Sequence, residues 1–182
     1  MSLRGRCALL LAPAALAAAQ PAQADERDWG LASDLAVGTL VAWSVAVPLA
    51  QGDENGALQA GISIASAQGV SQLLKHLVDA ERPDGSNRRS FPSAHSATAL
   101  AAASSIYRRR GPGEGVPALA LAGFTGLSRV EARKHHWRDV LAGAAIGGVS
   151  GVLFTDRHPD RRATIAVWGD TGGGGMSFAM TF

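Results

Sequence analysis

Cysteine is almost absent from this chain: 182 residues hold one, Cys7, inside an N-terminal apolar run. A chain with one thiol forms no internal disulfide and builds no zinc–thiolate site. A surplus of positive charge is also missing once the N-terminus is set aside. Met1 to Arg6 is basic, Cys7 to Ala19 is apolar, and Ala22-Gln23-Ala24 precedes Asp25-Glu26-Arg27. That layout predicts a secretory signal peptide over 1–24, because the apolar run is too short to span hydrocarbon and ends in an Ala-x-Ala site. Of the 17 basic residues two, Arg4 and Arg6, lie in that segment, so the remainder balances the 15 acidic ones. A general basic surface for nucleic acid is therefore not indicated. Cys7 leaves with the same segment, and an exported chain then carries no thiol to oxidise.

No internal repeat is visible, and the length suits one compact domain. From Trp29 onward, long Ala-, Leu-, Val- and Gly-rich runs alternate with short polar breaks, which predicts an all-α bundle of five helices near 30–51, 56–79, 93–110, 116–129 and 136–155. Small residues over 94–105 and 142–151 allow close backbone approach between helices. After Pro159 the pattern changes, with Ala163 to Trp168 and Met176 to Phe182 alternating around glycines. A short C-terminal β-hairpin is expected there, which gives a helical domain over 25–158 and a tail over 159–182.

Three polar clusters fall at the breaks. In the first, Lys75 near a helix end and Arg82 before Pro83 offer a point charge and a planar fork, a pairing that suits a tetrahedral anion. Basic residues near a helix C-terminus also complement its dipole, so this cluster alone has a structural explanation. In the second, Ser93 is placed to cap the third helix, where free N–H groups attract anions, with His95 beside it as a candidate proton donor. Plain capping accounts for it equally well. In the third, Arg129 precedes His135 and Asp139, whose four-residue spacing puts a carboxylate where it can hold one imidazole nitrogen and leave the other as a nucleophile. A surface ion pair is the alternative.

Taken together the clusters carry more information than they do singly. Lys75 to Pro83 reads Lys-x6-Arg-Pro, residues 92–95 read Pro-Ser-Ala-His, and Ser128-Arg129 is followed by His135 and Asp139 as Ser-Arg-x5-His-x3-Asp. This order and spacing resemble the type 2 phosphatidic acid phosphatase superfamily, which also contains bacterial nonspecific acid phosphatases and vanadium haloperoxidases. The one departure is Ala94 in place of the family glycine.

The resemblance implies a metal-independent phosphatase without a cofactor. In it His135 attacks phosphorus to form a phosphohistidine, Asp139 orients His135, and His95 protonates the leaving group. Lys75, Arg82, Ser93 and Arg129 hold the non-bridging oxygens. Its partner is a phosphorylated small molecule or a lipid phosphate; an inactive anion-binding protein and a haloperoxidase are the rivals. His76 and His136 are expected to be bystanders, Asp79 to pair with Lys75, Glu81 to be solvated, and Trp137 to pack or cover the site. Gln59, Gln68 and Gln72 weaken the second helix as a membrane span, which favours an exported periplasmic domain, soluble or peripherally attached. The alternative is an inner-membrane enzyme with Arg108 to Arg110 on the side opposite an outward-facing site.

Overall fold

The computed structural model describes residues 24–157, 163–170 and 173–180. The signal segment and the boundary near 158 lie outside them, apart from Ala24. Five helices form, α1 (Glu26–Ala50), α2 (Glu54–Leu77), α3 (Ala94–Arg110), α4 (Pro112–Glu131) and α5 (Trp137–Phe154), followed by strands β1 (Ala163–Asp170) and β2 (Gly173–Met180). The expected all-α bundle with a C-terminal hairpin is thus the observed architecture.

Helix boundaries differ from the sequence reading where caps decide them. Asp25 and Asp28 make a reciprocal cap that starts α1 at Glu26: the Asp25 carboxylate accepts from the N–H groups of Arg27 and Asp28, both at 2.8 Å. Asp53 caps α2 by accepting from Gly56 N–H at 2.9 Å. Residues 111–115, expected to be a loop, are mostly helix. Gly111, at φ 76°, ends α3 and opens α4, and Pro112 sits in the first turn, where its missing N–H breaks no helical bond. In the hairpin, β1 and β2 pair antiparallel from Ala163↔Met180 to Asp170↔Gly173. Gly173 to Gly175 therefore belong to the ladder rather than to a long turn.

Helix α3 is the axis of the bundle and touches all four other helices. Its Ala97, Ala99, Ala101, Ala102 and Ala103 are fully buried, and Leu40, Ile106, Ala118 and Ala122 complete the core around it. On α5, Gly143 and Gly147 recur at one-turn spacing against α3. A Cβ at Gly143 would collide with the Ser93 carbonyl, and one at Gly147 with the Ala97 carbonyl. The two backbones are in direct contact, as the small residues led one to expect.

The short connections make successive helices antiparallel. The start of α1 and segments 78–93 and 132–136 therefore share one end of the bundle, while 51–53, Gly111 and Thr155 share the other. Burial is distributed unusually. Ser44, Gln59, Ser63, Ser71, Thr125 and Ser150 are buried, whereas Leu35, Leu73, Leu77, Leu141 and Leu153 are each at least 60% exposed. Helices α1 and α5 are both long and apolar enough to cross a membrane.

Candidate active site

All three clusters meet at the end of the bundle that carries the start of α1. Ser93 is the N-cap of α3, as expected: its Oγ accepts from Ser96 Oγ at 3.0 Å and from Ser96 N–H at 3.4 Å. Its own N–H donates to the Asp139 carbonyl at 2.9 Å, which ties the second cluster to the third. Ala94 is the first residue of α3 in helical backbone, so no glycine conformation is required there.

The geometry of the His135 and Asp139 pair is not the expected one. α5 starts at Trp137, so His135 lies in the preceding coil and the two side chains do not share a helix face. His135 Nδ1 donates to the Ser90 carbonyl at 2.7 Å and lies 3.9 Å from Asp139 Oδ2, beyond hydrogen-bond reach. Asp139 is committed elsewhere: its Oδ2 accepts from Ser90 Oγ at 2.5 Å and from His136 N–H at 2.9 Å, capping α5. The consequence for His135 is nonetheless the anticipated one. A carbonyl only accepts, so Nδ1 carries the proton and Nε2 keeps a free lone pair.

Both members of this pair are buried, His135 being 2% and Asp139 0% exposed. Burial, with Arg129, Lys75 and Arg82 adding to it, pushes the His135 pKa down to about 3 against the pull of its bond to Ser90. The imidazole is therefore neutral over the physiological range and surrounded by cations.

Those cations are only partly satisfied. Lys75, which burial and Arg82 lower to about 8, donates to the carbonyls of Arg89 at 3.0 Å and Pro92 at 2.7 Å, so it also steadies the segment leading to Ser93. Arg129 Nη1 donates to Ser33 Oγ at 3.1 Å. The Nε groups of Arg82 and Arg129 are buried with no hydrogen-bond partner among the described residues. A buried guanidinium N–H left unpaired costs about 1–3 kcal/mol or more, a cost that a bound anion relieves. The site thus combines an imidazole lone pair with several donors aimed at negative charge.

Helix α1 contributes residues that the motifs did not single out. Asp34 Oδ1 accepts from His95 Nε2 at 2.8 Å and lies 3.8 Å from Arg129 Nη1. Together with His95, Arg129, Lys134, Arg27 and Leu31 it lines an open cavity of about 850 Å³. Burial, then Arg129, then Lys75 lower the His95 pKa, and Asp34 opposes all of them. Lys134 donates to Asp84 at 2.7 Å and so clamps the segment carrying Arg82 to the one carrying His135. Nothing in the sequence pattern marks Asp34, because its partners are 61 and 95 positions away. Ser90, two residues before the Pro-Ser-Ala-His motif, likewise lies outside the motifs.

The neighbouring residues divide. Asp79 pairs with Arg88 rather than with Lys75, since the chain leaves α2 after Leu77 and turns Asp79 outward. Glu81 is exposed, as expected. His76 Nδ1 donates to the Gln72 carbonyl of its own helix at 2.7 Å, and His136 is the exposed N-cap residue of α5. Trp137 is 53% exposed and is not among the residues that line the cavity.

Comparison with known proteins places this geometry. The family model of the PAP2 superfamily matches residues 85–163, a stretch that contains Ser93, His95, Arg129, His135 and Asp139. Over that stretch the chain matches the PAP2 superfamily. Among similar proteins, a lipid A 1-phosphatase from Porphyromonas gingivalis is 38% identical over 95 residues, covering 50% of this chain and 21% of the relative. A lipid A 4'-phosphatase from Helicobacter pylori is 33% identical over 136 residues, 75% of this chain and 62% of the relative. The chain therefore spans less than two thirds of the length of either. The crystal structure of LpxE from Aquifex aeolicus superposes with a TM-score of 0.60 at 19% identity, covering 70% of this chain and 83% of that one, a likeness of fold. The PAP2 match begins after Lys75 and Arg82, which their own motif singled out, whereas Asp34 enters the site through the tertiary structure alone.

Proposed function

We propose that this PAP2 chain is a membrane-embedded phosphatase that removes phosphate from a phosphorylated lipid through a phosphohistidine on His135. The observation that carries the reading is the pair of buried, unpartnered Nε groups of Arg82 and Arg129, whose guanidinium charges act on a neutral imidazole with a free Nε2. In the first step His135 Nε2 attacks phosphorus, the ester P–O bond breaks, and its electron pair stays on the leaving oxygen, which takes a proton from His95. In the second, neutral His95 takes a proton from water, the water oxygen attacks phosphorus, and the P–N bond returns its pair to His135. Lys75, Arg82, Arg129 and the Ser93 hydroxyl at the N-terminus of α3 hold the non-bridging oxygens, and the three cations supply the positive charge the transition state requires. Asp139 acts across 3.9 Å as a countercharge to the imidazolium, while the Ser90 carbonyl sets the tautomer.

A lipid substrate is supported by the two bacterial relatives being lipid A phosphatases and by the inverted burial of the bundle. Small and hydroxyl-bearing side chains inside, with leucines outside, suit hydrocarbon as the surrounding medium. α1 and α5 are the spans, and the phosphate-binding residues sit at helix ends or between helices, at the membrane surface. With an N-terminal signal and Arg108 to Arg110 at the far end, the site faces the periplasm.

The decisive measurement is release of inorganic phosphate from phosphatidate in mixed micelles, with a chelator present. Wild type turns over and His135→Ala loses activity by about 10³-fold or more. Equal rates in the two proteins remove the mechanism. Carbonate washing should leave the protein in the membrane fraction, and release by carbonate removes the embedded form.

A further inference from the structure

Sequence motifs assign no task to α1, yet the structure puts one of its carboxylates against the proton donor. Asp34 Oδ1 is 2.8 Å from His95 Nε2, and Asp34 side-chain exposure of 59% against 35% for His95 leaves the contact at the cavity wall. A carboxylate only accepts, so Nε2 holds the hydrogen and Nδ1 is the nitrogen left to exchange a proton. The charged groups that face His95 are Arg129 and Lys75, which both disfavour its protonation, and Asp34, which favours it.

We propose that Asp34 is the positioning residue for the general acid: it fixes the His95 ring through Nε2 and keeps the donor proton on Nδ1 against the opposing charge of Arg129 and Lys75. In the first step Nδ1–H protonates the departing alkoxide while Nε2–H stays on Asp34. In the second, Nδ1 takes the proton of the attacking water. The arrangement is the counterpart, for the acid, of what the Ser90 carbonyl does for the nucleophile. It rests on the phosphatase reading above.

The test compares two leaving groups. Phosphatidate expels a strongly basic alkoxide that needs its proton in the transition state, whereas p-nitrophenyl phosphate expels a weakly basic phenolate that needs it far less. Asp34→Asn is expected to lower kcat on phosphatidate by about 10-fold or more, a part of what general acid catalysis contributes, and on p-nitrophenyl phosphate by a clearly smaller factor. The basic limb of its pH profile should move to lower pH, because Asp34 no longer opposes the loss of the proton. Asp34→Glu should restore the limb in part, and Asp34→Asn should add little loss in a His95→Ala background. Activity on p-nitrophenyl phosphate also reports that the variant is folded. Equal losses on both substrates with an unmoved pH profile, or full additivity with His95→Ala, overturns the proposal. His135→Ala is assayed alongside: activity surviving there overturns the phosphatase mechanism itself, whereas an inactive His135→Ala beside a wild-type-like Asp34→Asn overturns only the role of Asp34.

Discussion

The two ends of this bundle carry similar side chains put to opposite uses. At the far end Arg109 donates to the Asp53 carboxylate and to Gln59 Oε1 at 3.2 Å, while Arg110 pairs with Glu114 and donates to Gln51 Oε1 at 2.7 Å. Arg108 Nε donates to the Thr155 carbonyl. At the near end Arg82 and Arg129 keep buried Nε groups with no partner among the described residues, and His135 is held neutral beside them. Satisfied arginines fasten helix ends together; unsatisfied ones store binding capacity for an anion. The contrast separates structure from function without reference to any motif.

Exchanging the two sets is the sharpest way to break that comparison. Arg82→Ala and Arg129→Ala should each cost about 10²-fold or more in kcat/KM, the usual loss when one donor to a developing oxyanion is removed. The thermal midpoint of Arg82→Ala should hardly move, since it orphans no partner among the described residues, whereas Arg129→Ala also removes the donor to Ser33 Oγ. Arg109→Ala should do the reverse, leaving kcat/KM near wild type and removing about 1–3 kcal/mol of stability in a detergent unfolding assay. If Arg109→Ala proves catalytically crippled, the division between the ends is wrong.

Helix contact between the ends gives the next largest effect. Gly147→Ala places a methyl against the Ala97 carbonyl, in backbone that cannot yield like a side chain, and should destabilise by about 1–3 kcal/mol. Gly148→Ala, which faces open space one residue on, is the matched control and should be neutral or slightly stabilising.

Proton linkage sharpens the near end further. Because the folded-state pKa of His135 is pushed down to about 3, the unfolded chain binds the proton first. Stability is therefore present above the ordinary histidine range and is lost as pH falls toward about 3, below which this contribution levels off. Part of that acid sensitivity should disappear in His135→Gln, measured by thermal unfolding across the window. The smallest effect belongs to the far end: Glu114→Gln weakens a half-exposed i,i+4 pair with Arg110 and should cost about 0.5 kcal/mol, with no change in activity.

Much of this was legible in the residues. Periodicity and breakers located the five helices, because Gly111, Pro112 and the capping aspartates act through local backbone chemistry. Errors of a few residues arose where caps competed, as at α4, which starts at Pro112 rather than near 116. The spacing of Lys75, Arg82, Ser93, His95, Arg129, His135 and Asp139 named the cluster, since each motif is short and contiguous.

What the chain order could not supply was who bonds to whom. Four residues of separation implied a direct His135 to Asp139 bond only if both lay on one helix, and α5 begins between them. The partners actually used, Ser90 for His135 and Asp34 for His95, come from other elements and have no signature in spacing. By itself the sequence determined the helices, picked out the candidate site residues and pointed to the family, because these depend on local propensity and contiguous motifs. Only the tertiary structure decided which protons are held where, and which arginines are left free to bind, because burial and hydrogen-bond pairing are properties of elements brought together from distant parts of the chain.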